Sequence, residues 1–344
     1  MKAGIINVTG YGGAEIARIL SRHPDVEITS VTGRSQAGKK LGEVFPHLAE
    51  YDLTITEDLA DSVDVVFSAL PHAASAEKVG PLLSEGARVI DLSADFRLKD
   101  LDEYRRWYKI DHPCPAHIEE AVYGIVELHR DELASTRLTA VPGCYPTGAV
   151  LAMAPAIQAG IIEPDIIVDA KSGVSGAGRK LSLDTHFSEV NESASAYSVD
   201  GHRHLPEITQ ELESISPDGG LKITFLPHLI PMTRGILSSC YAPLKEGAIA
   251  SGEAARSEIR EVYADFYEDE PFANVVDSPP KTKHTLGNNT CVVYPTVDTR
   301  TNRLIVISCL DNLVKGAAGQ AIQSMNLMFG LPEDQGLRQL ALYP

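Results

Sequence analysis

The sequence predicts an α/β fold, in which a doubly wound parallel sheet is followed by an α+β domain with a mixed or antiparallel sheet. The chain opens with a strand pattern and then a helical pattern, which together suit the start of a βαβ unit. Short β-branched runs recur up to residue 143, and the pattern changes after Cys144. A length of 344 residues is enough for two domains.

The first predicted domain covers residues 1–143 and is expected to be of the Rossmann type. Residues 2–8 are typical of a buried strand, and within residues 14–22 the side chains of Ile16, Ile19 and Leu20 share one helical face. The stretches between the later runs are long enough for crossover connections, as a parallel sheet requires. Those later strands are predicted at 26–31, 63–67, 87–92 and 139–141.

The second predicted domain covers residues 144–311. It is expected to begin with a helix from 144 to 161. Residues 316–329 again have helical periodicity, so the C-terminal segment 312–344 is expected to pack on the first domain and complete it. The strands of the second domain are predicted at 166–171, 221–226, 235–242, 291–297 and 303–309.

Charge and hydropathy narrow the possible partners. Lys and Arg total 30 against 47 Asp and Glu, and the resulting net charge of −17 argues against nucleic-acid binding. An anionic substrate then needs a local cluster of cations and N–H donors. The most apolar segment, residues 148–162, contains Pro155 and Gln158 and falls short of the roughly 20 residues that span a bilayer. We therefore expect a core helix there and no membrane partner.

The cysteines indicate a reducing compartment. The five of them form neither an even set nor a CxxC pair, and a chain of this length does not need disulfides. The first residues also lack the pattern of a secretory signal. We expect a cytoplasmic protein.

The turn between the first strand and the first helix is rich in glycine. Its N–H groups and the helix N-terminus can hold the pyrophosphate of a dinucleotide, although GxGxxG is not matched and a tight βα turn is the alternative. Arg34 follows the predicted second strand, at the position where an NAD site has Asp or Glu. A cation there favours NADP, and the alternative interpretation is a solvated loop arginine. The candidate cofactor contacts are Gly10, Tyr11, Gly12, Gly13, Arg34 and Ser35.

Cys144 is the candidate nucleophile. It follows a predicted strand and begins a predicted helix, whose dipole is expected to lower the pKa of the thiol and so to favour the reactive thiolate. Cys240, Cys291 and Cys309 lie within strand runs and are expected to be small buried hydrophobes. Cys114, which lies between two prolines in a loop, is a weaker rival.

A cysteine nucleophile needs an acid–base partner, and His202 and His204 flank Arg203. In an extended chain the two imidazoles share a face. A zinc site would use the same geometry, but no suitably spaced third and fourth ligands are evident. An acid–base histidine is the preferred interpretation, and the choice between the two stays open.

The segment 171–180 combines glycines, serines and two cations after a strand. It is expected to form an anion-binding nest for phosphate or carboxylate, the alternative being a flexible surface loop. This is the local cluster that the acidic composition requires. The candidate substrate contacts are Ser172, Ser175, Gly176, Arg179 and Arg203.

These motifs together resemble the N-acetyl-γ-glutamyl-phosphate reductases, NADPH-dependent enzymes of arginine biosynthesis. The resemblance covers essentially the whole chain. It rests on residues 9–15 (TGYGGAE), 43–48 (EVFPHL), 69–72 (ALPH), 91–97 (DLSADFR), 142–147 (PGCYPT), 171–179, 202–207 (HRHLPE), 227–235 (PHLIPMTRG) and 311–320 (DNLVKGAAGQ).

The resemblance implies a role for particular residues. Cys144 becomes the nucleophile, His204 the acid–base, and Asn312 a further NADP contact near the nicotinamide. The family has a Rossmann domain that includes the C-terminal segment and a catalytic and dimerisation domain, so a homo-oligomer, dimer or tetramer, is expected. The chain departs from the family pattern at Asn7, Gly12 and Val141.

The resemblance also implies a reaction. The thiolate attacks an acyl phosphate, phosphate leaves, and the thioester is reduced to a semialdehyde. Three alternatives remain: a carrier-linked aminoadipyl or glutamyl phosphate as substrate, an aspartate-semialdehyde dehydrogenase, and an inactive regulator that senses NADP.

Overall fold

The computed structural model describes residues 1–60 and 63–343, and the chain divides into two compact units. The first unit consists of residues 1–143 and 317–339, and the second of residues 144–316 with the tail from residue 340. The chain thus returns to the first unit at 317 rather than at 312. The reason is that Asp311 and Asn312 accept hydrogen bonds from Gly287 N and Gly235 N, each at 2.8 Å, inside the second unit.

The first unit contains the predicted parallel sheet. Its elements within residues 1–143 are β1 (Lys2–Ile6), α1 (Tyr11–Leu20), β2 (Glu27–Val31), α2 (Leu41–Val44), β3 (Val65–Ser68), α3 (Ala74–Ser84), β4 (Arg88–Asp91), α4 (Leu101–Tyr108), β5 (Val122–Tyr123), α5 (Val126–Ser135) and β6 (Leu138–Ala140). The six strands pair in the order β2-β1-β3-β4-β6-β5, and every pair is parallel. This confirms the doubly wound sheet; β5 has only two residues, too few to give a recognisable pattern.

The second unit contains the predicted α+β arrangement. Its elements are α6 (Cys144–Gln158), β7 (Asp165–Ser172), α7 (Phe187–Val190), β8 (Ser195–Ala196), α8 (Leu205–Ser214), β9 (Lys222–Leu229), β10 (Ile236–Pro243), α9 (Glu253–Phe266), β11 (Ala273–Val275), β12 (Cys291–Asp298) and β13 (Arg303–Leu310). The seven strands pair in the order β11-β12-β13-β10-β7-β9-β8. Because β7–β9 and β11–β12 are parallel and the other pairs antiparallel, the sheet is mixed, as predicted.

The C-terminal segment begins with an irregular helix. A π-helical turn, Val314–Ala318, leads into α10 (Gly319–Met328), whose residues are almost all buried. In the first unit, Asn326 on α10 lies 2.9 Å from the imidazole of His23. Among the helices that the structure describes, none combines the length and the apolar character needed to cross a membrane.

Helix α6 is buried from Tyr145 to Ile157 and contains Pro155. A proline has no N–H, so the carbonyl of Leu151 loses its donor within the helix. The hydroxyl of Tyr267 donates to that carbonyl at 2.6 Å, and Tyr263 donates to the next one, Ala152 O, at 2.7 Å. The hydroxyls of the two tyrosines thus supply hydrogen-bond donors to the carbonyls in the part of α6 that the proline disturbs.

Replacing Tyr267 with Phe should destabilise the protein by about 1–3 kcal/mol, because a buried carbonyl is left without a donor. Urea denaturation, with the midpoint as readout, measures the loss. Tyr343→Phe is the matched control, since that side chain is 67% exposed and its change should have almost no effect. A Tyr267→Phe protein as stable as the parent would contradict this account of α6.

Candidate active site and cofactor cradle

A cavity of about 510 Å³ opens in the first unit beyond the carboxyl ends of β1 and β2. This volume suits a small ligand or part of a dinucleotide. Its walls include Asn7 and Thr9 after β1, and Arg34 and Ser35 after β2. Arg34 and Ser35 are exposed in a short 3₁₀ turn, so both predicted cofactor contacts at this strand end reach the cavity.

The glycines of the first turn bring α1 close to β1. Gly10 is the N-cap of α1, and Tyr11, Gly12 and Gly13 begin the helix beside Thr9 of the cavity wall. A Cβ on Gly13 would lie 2.5 Å from Asn7 O, so only glycine permits this approach. Together the helix N-terminus and the cavity form a cradle that fits a dinucleotide.

Asn7 holds this turn in a left-handed backbone conformation. Its φ is 62°, which asparagine tolerates better than most residues. Its side-chain Nδ2 donates to Ala69 O at 2.8 Å, and its backbone carbonyl accepts from Gly10 N at 3.2 Å. The departure from glycine at this position is therefore compatible with the turn.

Acidic side chains also reach the cavity, which sequence reasoning missed. Glu57 and Glu77 line it together with Lys78 from α3. Glu57 is placed there because Thr56 pairs with Thr32, at the end of β2, and Thr56 O accepts from Gly33 N at 3.0 Å. The end of β2 itself has no acid, but a chain segment more than twenty residues downstream supplies one.

In the second unit, Cys144 is the first residue of α6 and is half-buried. Gly316 packs directly against it: a Cβ on Gly316 would lie 2.8 Å from the Cβ of Cys144. The N–H of Tyr145 belongs to the first turn of the helix, where backbone donors have no acceptor inside the helix. The arrangement can bind an anion that develops beside the sulfur.

The other four cysteines are weaker candidates for a nucleophile. Burial raises the pKa of Cys240 and of Cys309 to about 12 in each case, and Cys291 is buried as well. Burial, and then the charge of Glu120, raise the pKa of Cys114. These environments disfavour the thiolate, which is the reactive form.

His202 and His204 lie together next to the start of α6. Their ring centroids are 4.7 Å apart, and the ring of Tyr145 lies 5.8 Å from that of His202 and 5.9 Å from that of His204. The expected extended conformation is wrong, because His202 Nδ1 accepts from His204 N at 3.0 Å and the chain turns into α8. The two imidazoles meet across this turn rather than along a strand face.

His202 is enclosed by aromatic rings. Its ring packs against Tyr197 and Phe225 at centroid distances of 5.5 and 5.4 Å. Burial, and then the charge of Arg203, lower its pKa to about 4. His202 is therefore neutral near pH 7, with Nδ1 as an acceptor and its proton on Nε2.

The segment 171–180 differs from the expected nest. The N–H groups of Gly173, Val174 and Ser175 donate to carbonyls of the segment 232–235, so those amides are not directed at an anion. A Cβ on Gly173 would lie 2.7 Å from the carbonyl of Thr233, which shows how closely the two segments pack.

The candidate substrate residues fall into two groups. Ser172 and Ser175 are buried and Ser172 Oγ donates to Gly173 O at 2.9 Å, whereas the other three candidates are exposed. Those three are Gly176, Arg179 and Arg203.

Asn312 belongs to the second unit. It is 2% exposed; its Oδ1 accepts from Gly235 N at 2.8 Å and its Nδ2 donates to Ser175 Oγ at 2.9 Å. Its side chain therefore joins the segment 232–235 to the loop that carries Ser175. Over residues 1–60 and 63–343, no three His, Cys, Asp or Glu side chains are grouped as metal ligands.

Comparison with known proteins relates both units to semialdehyde dehydrogenases. Residues 2–136 match the family model described as semialdehyde dehydrogenase, NAD binding domain. Residues 144–312 match the model described as semialdehyde dehydrogenase, dimerisation domain.

Curated relatives align over the full length. The N-acetyl-gamma-glutamyl-phosphate reductase of Dehalococcoides mccartyi is 56% identical over 345 residues, covering 100% of this chain and 99% of the relative. That of Pelotomaculum thermopropionicum is 49% identical over 352 residues, with the same coverage of 100% and 99%.

Solved structures share the fold at low identity. Aspartate semialdehyde dehydrogenase II from Vibrio cholerae, complexed with ASA, has a TM-score of 0.70 at 16% identity, covering 96% of this chain and 98% of that one. Aspartate semialdehyde dehydrogenase with NADP from Candida albicans has a TM-score of 0.67 at 17% identity, covering 95% and 98%.

The imidazole of His202 should remain neutral from about pH 8 down to about pH 5, whereas in the urea-unfolded chain it should titrate near pH 6.5. Because the unfolded chain takes up this proton first, the contribution of His202 to stability should fall as the pH drops from about 6.5 towards 4. An NMR titration of the imidazole resonances, assigned by their absence in His202→Gln, measures the pKa. A value near 6.5 in the folded protein would contradict the enclosed environment.

Proposed function

We propose that this chain, which belongs to the N-acetyl-γ-glutamyl-phosphate reductase family, reduces N-acetyl-γ-glutamyl phosphate to N-acetylglutamate 5-semialdehyde and phosphate in arginine biosynthesis. The observation that carries the proposal is the position of Cys144 at the start of α6, where the ring of the next residue, Tyr145, lies against both His202 and His204. Reduction of an acyl phosphate needs a nucleophile to capture the acyl group and a group to move a proton. Cys144 is the candidate for the first role, and the pair of His202 and His204 supplies the second.

Cys144 is the proposed nucleophile. Its thiolate attacks the γ-carbonyl carbon, the N–H donors at the start of α6 stabilise the oxyanion, and phosphate leaves with the bonding electrons to give a thioester. Capture of the acyl group divides the reduction of an acid derivative into two easier steps. After reduction, collapse of the thiohemiacetal releases the semialdehyde and restores the thiolate.

His204 is the proposed acid–base. It takes up the thiol proton before attack and exchanges a proton with the carbonyl oxygen during reduction and collapse. His202 is proposed to position His204, because its Nδ1 accepts the backbone N–H of His204 at 3.0 Å.

The cradle of the first unit is proposed to hold NADPH. Bound NADPH supplies the hydride that reduces the thioester. The turn of Gly10 to Gly13 fits the pyrophosphate because Gly13 lets the N-terminus of α1 pack closely on Asn7, at the cavity wall, and Arg34 and Ser35 fit the 2′-phosphate. Asn312, whose Nδ2 donates to Ser175 Oγ in the second unit, remains the proposed NADPH contact near the nicotinamide.

The substrate anion is proposed to bind near the loop 172–179. Arg179 and Arg203 are exposed cations next to this loop and to His204, respectively, in a protein whose net charge is −17. Gly176 is exposed as well, whereas Ser172 and Ser175 are proposed to shape the loop from beneath. Charge-assisted bonds from guanidinium groups would offset the repulsion from the acidic surface.

A homo-oligomer, dimer or tetramer, is part of the proposal. Helix α6 packs on one face of the second sheet, and on the other face the alternate residues of β10 and β13 are half-buried. These include Leu237, Tyr241 and Ile307, and a second copy would cover them.

All five cysteines are free thiols, which supports a reducing cytoplasm as the location.

Phosphate-dependent reduction of NADP is the assay that tests the function. N-acetylglutamate 5-semialdehyde should be oxidised efficiently, whereas aspartate semialdehyde and the aminoadipate analogue should react at least tenfold more slowly in kcat/KM, because their chain lengths and blocking groups differ. Formation of NADPH is followed by absorbance. A preference for either of the other aldehydes, or turnover that does not depend on phosphate, would contradict the proposal.

Replacement of His204 by Ala should lower kcat by roughly 10²–10⁴-fold, because general acid–base catalysis has that magnitude. His202→Ala is the matched comparison and should lose less, since His202 only orients its neighbour. The pH dependence of kcat/KM separates the roles: the acidic limb should disappear with His204→Ala and persist with His202→Ala. A greater loss with His202→Ala would exchange the two roles.

A further inference from the structure

Lys78 lies at the edge of the cofactor cavity and forms an ion pair there. It projects from α3 into the same cavity that Arg34 lines, and its Nζ pairs with Asp58 Oδ1. Both partners are accessible: the side chain of Lys78 is 37% exposed and that of Asp58 is 76% exposed. Lys78 has no place in the roles described so far.

Asp58 interacts with two cations. The hydrogen bond and the charge of Lys78 hold the pKa of Asp58 below its ordinary value, and the charge of Arg34 adds to the effect. The carboxylate therefore lies within the field of both cations that reach this part of the cavity. It occupies the electrostatic position that an external anion bridging Arg34 and Lys78 would take.

The ion pair is suited to exchange. An exposed pair of this kind contributes only about 0–1 kcal/mol, because water and salt screen it. A phosphate dianion carries more charge and more acceptor oxygens than one carboxylate, so it competes well for the ammonium group. Lys78 can leave Asp58 by side-chain rotation alone, since its stem is flexible.

We propose that the 2′-phosphate of NADPH displaces Asp58 from Lys78, so that Lys78 and Arg34 together bind the phosphate and Lys78 determines specificity for NADPH over NADH. This rests on the proposed function, in which NADPH is the reductant.

The acidic side chains of the cavity explain why a second cation is needed. Glu57 and Glu77 line the same walls, and Asp58, the residue after Glu57, pairs with Lys78 at the cavity edge. Against three carboxylates, the guanidinium of Arg34 alone leaves this end of the cavity negative. Lys78 reduces this excess of negative charge. Once it has left Asp58, its ammonium group can bind the 2′-phosphate.

Binding of two nucleotides that differ only in the 2′-phosphate tests the inference. Adenosine 2′,5′-bisphosphate and 5′-AMP are titrated into the full chain by isothermal calorimetry, without turnover. Lys78→Met should weaken the bisphosphate about tenfold, the effect of a charge-assisted hydrogen bond, and leave AMP unchanged. Asp58→Asn should strengthen the bisphosphate a few-fold, because the internal competitor is gone, and Lys78→Arg should retain most of the affinity.

Lys40→Met is the matched control. Lys40 forms a comparable exposed pair with Asp52 at 2.7 Å, outside the walls of the cavity. Its replacement should leave both affinities unchanged, which separates a specific contact from a general loss of positive charge.

The outcomes separate this inference from the proposed function. If the unmodified protein binds AMP as tightly as the bisphosphate, the preference for NADPH is wrong and the role of Lys78 falls with it. If the bisphosphate is preferred and Arg34→Ala removes the preference while Lys78→Met does not, the preference stands and only the role of Lys78 is wrong. Equal losses for both nucleotides in Lys78→Met, or weaker bisphosphate binding in Asp58→Asn, would also overturn the inference.

Discussion

The close packing of Gly316 on Cys144 is the contact that constrains the position of the candidate nucleophile. A side chain at residue 316 would occupy the space of Cys144, with its Cβ 2.8 Å from Cys144 Cβ and 3.2 Å from Cys144 Cα. The π-helical turn Val314–Ala318 presents Gly316 at this point, and π-bulges in helices are frequent at functional sites. The same chain segment begins with Asn312, which joins the 232–235 segment to Ser175. Cys144, the loop that carries Ser175 and the segment 232–235 therefore all contact one short stretch of backbone, residues 312–316.

Much of the fold could be predicted because its signals are local. The runs of β1 and β13 are recognisable as strands without tertiary information, and the observed strands agree with them. Helix α9 was not predicted, although Ala255, Ile259 and Tyr263 recur at four-residue spacing and all are buried, so the signal was present. Strands β5 and β8 have two residues each and exist only because a neighbouring strand pairs with them.

The candidate site likewise has features that follow from local sequence and features that depend on contacts remote in sequence. The position of Cys144 at a helix start follows from a strand run, the Pro-Gly turn and Pro146 in the first helical turn, all within a few residues. The amides of residues 173–175 looked available because their acceptors, on the 232–235 segment, are remote in sequence. Likewise Glu57 and Lys78 approach the end of β2 only through the sheet and α3. Contacts of this kind decide charge and hydrogen bonding at the site, and a single sequence does not contain them.

The central claim is that Cys144 carries the acyl group, and mass spectrometry of the trapped enzyme tests it most directly. The protein is mixed with N-acetyl-γ-glutamyl phosphate in the absence of NADPH, quenched in acid and digested. We expect one N-acetylglutamyl group per chain on the peptide that contains Cys144, release of a matching amount of phosphate, and loss of the label when NADPH is added. Acylation at another residue, or equal acylation of a Cys144→Ser protein, would contradict the account.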